Sequence, residues 1–200
     1  MKLTGELRNL EGRKRLHKDA RLKSACHEAC HCLISLEVNQ PFVRVEVGAQ
    51  TLENARWYAD TEPETVNIGG RVVVDETYQV YTKTAEAAAQ VSLAGYVFER
   101  IVDPHSNGFV AMLSGAMTDM KQAFEWIRWW SENRGYELDE QAIEKYIDKV
   151  LIPPVRKHLI ANWATVIRVG EALAQSGSLD FTQVRSLVAP ATSVAAGGAQ

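Results

Sequence analysis

The sequence predicts a mainly helical protein carrying a small β-sheet, an α+β arrangement. Three features predict it: long stretches without proline or glycine in which apolar residues recur at helical spacing, one clean apolar/polar alternation at 42–47, and a second short valine-rich run at 72–74. The 200 residues are also enough chain to bury a sizeable core without staples.

The first predicted helix runs from about Lys14 to Val38, with Leu16, Ala20, Ala25, Ala29, Leu33 and Leu36 on its inner side. Asn39-Gln40-Pro41 should end it, because the residue before a proline is pushed out of the helical region. Phe42 to Val47 then alternates as a half-buried strand, with Val43, Val45 and Val47 pointing one way and Arg44 and Glu46 the other. Residues 51–70 are rich in turn formers, although Trp57 and Tyr58 need apolar surroundings. Thr65–Ile68 and Val72–Val74 are further short strand candidates, giving a sheet of two to four strands. An exposed edge of such a sheet can accept an extended peptide as an added strand.

The rest reads as helix. Tyr78 to Val102 places Ala85, Ala88, Ala89, Leu93, Val97 and Ile101 on one side, small enough for a neighbouring helix to approach closely, and closes at Asp103-Pro104. Ser114 is suited to cap a helix reaching about Glu132, with Met117, Met120, Phe124, Ile127 and Trp130 inward and Trp126, Trp129 and Trp130 as packing residues. Leu138 to Val150 forms a shorter helix with Asp139 near its start. Pro153-Pro154 separates it from a helix over Val155 to Gln175, and Ser178-Leu179-Asp180 leads into a last one ending near Val188. The tail ATSVAAGGAQ has neither charge nor apolar period and is expected to be disordered.

A net charge of -3 gives no reason to expect nucleic acid as a partner. The basic cluster Arg13, Lys14, Arg15, Lys18, Arg21 and Lys23 is expected as the wet face of a helix start. The 3 cysteines fall at positions 26, 30 and 32, unlike the dispersed framework of a disulfide-stapled secreted protein, which points to a reducing, cytoplasmic setting. No segment reaches the length of apolar chain that membrane insertion requires.

The chemistry concentrates in ACHEACHCL, residues 25–33. On a helix, His27 and His31 stand above one another, so both imidazoles can reach one tetrahedral zinc at about 2.1 Å. Glu28 is directed round the helix toward the place of a reacting water, as in metallopeptidases carrying the H-E-x-x-H pattern. Two imidazoles and a carboxylate in an apolar helix need partners or a metal. Cys26 and Cys30 point about 100° away from the imidazole face and read as small buried hydrophobes, as does Cys32. A third ligand is missing: His17 lies about 15 Å up the helix by its rise per residue, and His105 and His158 sit in a loop and a solvent-facing turn. Many acidic residues remain, and spacing alone does not choose among them.

Arg21-Leu22-Lys23-Ser24-Ala25-Cys26-His27-Glu28-Ala29-Cys30-His31-Cys32-Leu33 resembles the zinc helix of the FtsH-type peptidases, the proteolytic domain of membrane-bound AAA proteases; Cys30 and Cys32 stand where that family usually has glycine and alanine. Leu93-Ala94-Gly95-Tyr96-Val97-Phe98-Glu99 is similar to the family's small-residue helix ending in a glutamate. Ser114 to Met120, followed by Ala123, is similar to the segment in which an aspartate near a helix start supplies the third ligand, so the resemblance implies Asp119 in that role. It covers residues 14–188, leaving an N-terminal extension over 1–13 and the tail over 189–200, and it matches the peptidase part without the ATPase module.

The expectation is therefore a zinc-dependent endopeptidase acting on unstructured or flexible polypeptide, in which His27, His31 and Asp119 bind Zn2+ and Glu28 is the general base. The strand edge near Phe42–Val47 would align the substrate backbone. Substrate would arrive as flexible segments or be delivered by another protein, and self-association into a homo-oligomer stays open. The alternatives are a catalytically silent adaptor that keeps the peptidase fold with structural zinc or none, and a redox or metal sensor built on the three thiols.

Overall fold

The computed structural model describes residues 10, 12–50, 67–74, 84–104 and 116–189. Helices α1 (Arg13–Leu16) and α2 (Ala20–Glu37) precede strands β1 (Phe42–Gln50) and β2 (Asn67–Val74). Then follow α3 (Ala85–Val102), α4 (Ala116–Asn133), α5 (Glu140–Tyr146), a π-helical turn (Ile147–Leu151), α6 (Ile152–Ala161), α7 (Trp163–Ser176), β3 (Ser178–Asp180) and α8 (Phe181–Val188). This is the mainly helical α+β class that the sequence predicts. The expected cap at Ser114, Trp57, Tyr58, the loop histidine His105, the start of the Tyr78 helix and the tail from residue 190 lie outside the described residues.

The single helix expected over Lys14 to Val38 is two. Asp19 adopts an extended backbone and its carboxylate accepts a hydrogen bond from the Leu22 backbone N–H at 2.9 Å, so it caps a new helix instead of continuing an old one. At the other end Asn39 turns to a left-handed φ of 56°, and the Gln40 N–H donates to the Ser35 carbonyl at 2.8 Å. The chain is therefore already turned before Pro41 is reached.

The sheet is antiparallel with order β2-β1-β3, so β1 is its centre. That corrects the expected edge at Phe42–Val47: Val45 pairs with Val72 on one side and with Leu179 on the other. The third strand is Ser178–Asp180, which the sequence reading treated only as the approach to a helix, and Ile68 belongs to β2 rather than to a strand of its own. A register shift between Phe42 and Arg44 breaks the alternation, turning Val43 outward at 46% exposure while Phe42 goes inward at 4%. Its ring meets that of Phe181, centroids 5.1 Å apart.

Pro153-Pro154 does not separate two helices. The chain passes from α5 through the π-helical turn straight into α6, with the prolines in the first turn of α6, where the wider π-helical turn before them accommodates their rings and missing N–H groups. The break falls later, at Asn162, whose Nδ2 donates to the His158 carbonyl at 3.0 Å. Asp139 caps α5 on the Ala142 N–H, as its position predicts, and Asp180 and Gln183 form a reciprocal capping box on α8.

Helix α3 is the shared wall of two apolar clusters. Val91, Ala94, Val97, Phe98 and Ile101 face a cluster built with α2, β1, α6, α7 and α8, while Ala85, Ala89 and Leu93 face α4, α5 and the π-helical turn. Trp130 is buried in the second cluster and stacks on Tyr146, with Trp126 and Trp129 packed at its margin, which bears out the packing role expected for the three tryptophans. None of the described helices is long and apolar enough to cross a membrane.

Helix α7 crosses α2 at Gly170. A Cβ there would stand 2.3 Å from Cys26 Sγ and 3.1 Å from the Cys26 Cα and N. Gly170→Ala should gain about 1 kcal/mol of helix propensity and lose about 1–3 kcal/mol to overpacking against a backbone that cannot yield. A lower midpoint in urea unfolding is expected, recovered in part by Cys26→Ala. A midpoint that rises would show that the two helices separate freely.

Candidate metal centre

The site is built on two antiparallel helix stripes, each with a period of four. On α2 the stripe is His27 and His31. On α3 it is Val91, Gly95 and Glu99. Nδ1 of His31 lies 2.7 Å from the Val91 carbonyl oxygen, to which it donates, and Nδ1 of His27 faces Glu99 Oε1 at 3.7 Å. With His31 Nδ1 hydrogen-bonded to α3 and His27 Nδ1 facing it, the opposite nitrogens are turned the same way: His27 Nε2 lies 3.2 Å and His31 Nε2 3.5 Å from Oδ2 of Asp119. The Val91 hydrogen bond fixes the tautomer and ring plane of His31, which is how metal-binding histidines are generally held, and the Glu99 carboxylate places a charge beside Nδ1 of His27. Phe98 backs His27 edge-on, with centroids 6.3 Å apart, and stacks on Trp163 behind it.

Asp119 comes from the first turn of α4, where a helix start favours negative charge. Gly95 lies between it and His27. A Cβ at Gly95 would stand 2.2 Å from His27 Nε2 and 2.4 Å from Asp119 Oδ2, so this glycine is what leaves room for the three groups to converge. Their donor atoms lie within 4.8 Å of one another, and among the described residues this is the one group with the makings of a cation site.

The electrostatics favour a positive charge at that point. Burial alone would push the His27 imidazole down; its contacts with Asp119 and Glu99 and the charge of Glu28 push it up to about 10. His31 is likewise raised by Asp119 against the effect of burial. Burial raises Asp119, but the two imidazoles outweigh it and hold the carboxyl well below the usual range. Even so, Oδ2 is buried without a properly directed hydrogen-bond donor, because the ring nitrogens approach it closely but at poor angles. Three acceptor-capable atoms facing one another, one of them an orphaned carboxylate oxygen, fit a divalent cation, which displaces protons from such ligands. Glu28, next along α2, is 6% exposed, and burial pushes its carboxyl up against the pull of His31 and His27.

The structure thus brings together His27, His31 and Asp119 with Glu28 beside them. The pattern is an H-E-x-x-H zinc-binding arrangement completed by an aspartate. His17 sits in the turn after α1. His158 is on α6, not in a solvent-facing turn, and its Nδ1 faces Glu37 at 3.6 Å. Sequence reasoning gave no role to the Val91 carbonyl, Gly95 or Glu99 at the histidines. The available signal was the period of four in Val91, Gly95 and Glu99, which equals that of the histidine pair.

All three cysteines are free, buried and outside the cluster. Burial pushes the Cys26 thiol up to about 12, with the Glu171 charge adding to it, and burial raises Cys30 and Cys32 as well. Thiols held in this way are poor nucleophiles and poor ligands. A soluble aromatic disulfide reagent should label none of them in the folded protein and all three after denaturation, counted by thiolate release. Rapid labelling in the folded state would restore the sensor reading. No protein-family model matches the sequence, and no curated protein matches it.

Proposed function

We propose that this chain is a zinc-dependent endopeptidase of the FtsH-type kind, hydrolysing peptide bonds in unstructured or flexible polypeptides. The observation that carries the reading is the convergence of His27 Nε2, His31 Nε2 and the Asp119 carboxylate with Glu28 buried alongside. Two imidazoles and one carboxylate make a three-ligand set of the kind that leaves a zinc position open for chemistry. Zinc, when bound, supplies Lewis acidity that acidifies water and polarises a carbonyl.

The residues do the remainder. Glu28 takes a proton from water as its oxygen bonds to the carbonyl carbon, then gives a proton to the amide nitrogen as the C–N bond breaks. Burial raises the basicity of Glu28, which suits that exchange. Glu99 and the Val91 carbonyl keep the imidazoles aimed, and the packed wall behind His27 excludes water. Among the described residues β2 has a strand neighbour on one side only, so its outer edge, rather than β1, is suited to align an extended substrate. Substrate reaches the site as a flexible segment or through a delivering protein, and assembly into a homo-oligomer is compatible with this use.

Metal analysis combined with proteolysis tests the reading. Protein purified without added zinc should carry about one equivalent, cleave casein, and lose cleavage to a chelator, with Asp119→Ala losing most of the metal. Full metal content in Asp119→Ala would reject the ligand set. Bound zinc without cleavage of any unstructured polypeptide would favour the silent adaptor.

A further inference from the structure

One turn before His27 on the same stripe of α2 stands Lys23. Its Nζ lies 2.5 Å from Oε2 of Glu99, while the other oxygen of that carboxylate, Oε1, is the one that faces His27 Nδ1 at 3.7 Å. Both side chains are largely withdrawn from water, Glu99 at 13% exposure and Lys23 at 26%. The period of four therefore extends over three positions of α2, and the lysine meets the glutamate that meets the histidine.

We propose that Lys23 is a positioning residue for the metal centre: it holds the Glu99 carboxylate in the one orientation that keeps His27 aimed at Asp119. The inference rests on the cluster being a metal centre. Glu99 lies in the last turn of α3, where the helix end carries partial negative charge and repels a carboxylate. Its side chain has several rotatable bonds, and without an opposing cation the favoured course is to swing outward to water. The Lys23 ammonium offsets that repulsion and ties down one oxygen, which leaves the second directed at the imidazole. A partly exposed ion pair contributes little to folding stability. Its larger effect here is on the geometry of a neighbour whose orientation decides metal affinity.

The test is the zinc dissociation constant, read by competition with a chromophoric chelator, together with the visible absorption of the cobalt-substituted protein. Lys23→Met should weaken zinc binding roughly ten-fold, at the low end of the effect expected for groups that orient metal ligands, and should alter the cobalt spectrum. Lys23→Arg, which keeps the charge, should restore both. In a Glu99→Ala background Lys23→Met should cost nothing further, because its route to His27 is gone. Wild-type affinity and spectrum in Lys23→Met would overturn the inference alone, as would an equal loss in the Glu99→Ala background. A loss that tracks only a fall in the melting temperature of the metal-free protein would also overturn it. Wild-type protein that binds neither zinc nor cobalt would instead overturn the metal reading beneath it.

Discussion

Replacing Gly95 by alanine is expected to abolish zinc binding while the chain stays folded. The added methyl would stand 2.2 Å from His27 Nε2 and 2.4 Å from Asp119 Oδ2, inside any real carbon contact distance, so ring and carboxylate must part. They are free to part, being side-chain ends, whereas the helix itself prefers alanine to glycine by about 1 kcal/mol. The two consequences have opposite signs. Zinc content should fall to background and peptidase activity with it, while the urea midpoint of metal-free protein holds or rises. A Gly95→Ala protein that retains a full equivalent of zinc would show that the convergence point is not where the ion sits. If unfolding accounted for the loss, the midpoint would fall as well.

Glu28→Gln is expected to keep the metal and lose the reaction. The amide is nearly isosteric with the carboxylate and leaves His27, His31 and Asp119 untouched, but it takes up no proton at neutral pH. A positioned general base is typically responsible for 10²–10⁴-fold in rate, so casein cleavage should drop by about that factor, with zinc affinity changed much less. Wild-type turnover by Glu28→Gln would remove Glu28 from the mechanism. The pair of variants is diagnostic because one removes the ion and the other only the base.

Much of the site was legible because it is local. The histidine pair, its glutamate and their shared face follow from helical geometry alone, and the structure places them as that geometry requires. Asp119 was not legible from spacing, since it comes from another helix and many acidic residues compete; only the resemblance singled it out. Val91 acts through a backbone carbonyl, which has no letter in a sequence. Among the elements, the divided first helix was signalled by Asp19, an ordinary cap residue hidden in a basic run. Pro153-Pro154 misled because a π-helical turn takes up the misfit before them. The third strand was missed because three residues are too few to show a period.

Strand β3 closes the sheet with residues near the end of the described chain, pairing them with Arg44, Val45 and Glu46 near its beginning. Closing so long a span costs chain entropy before its contacts repay it. During synthesis, then, the Cys26 surface emerges from the ribosome well before the Gly170 face of α7 is available to cover it. A chain arrested in that state would offer the Cys26 thiol to oxidants.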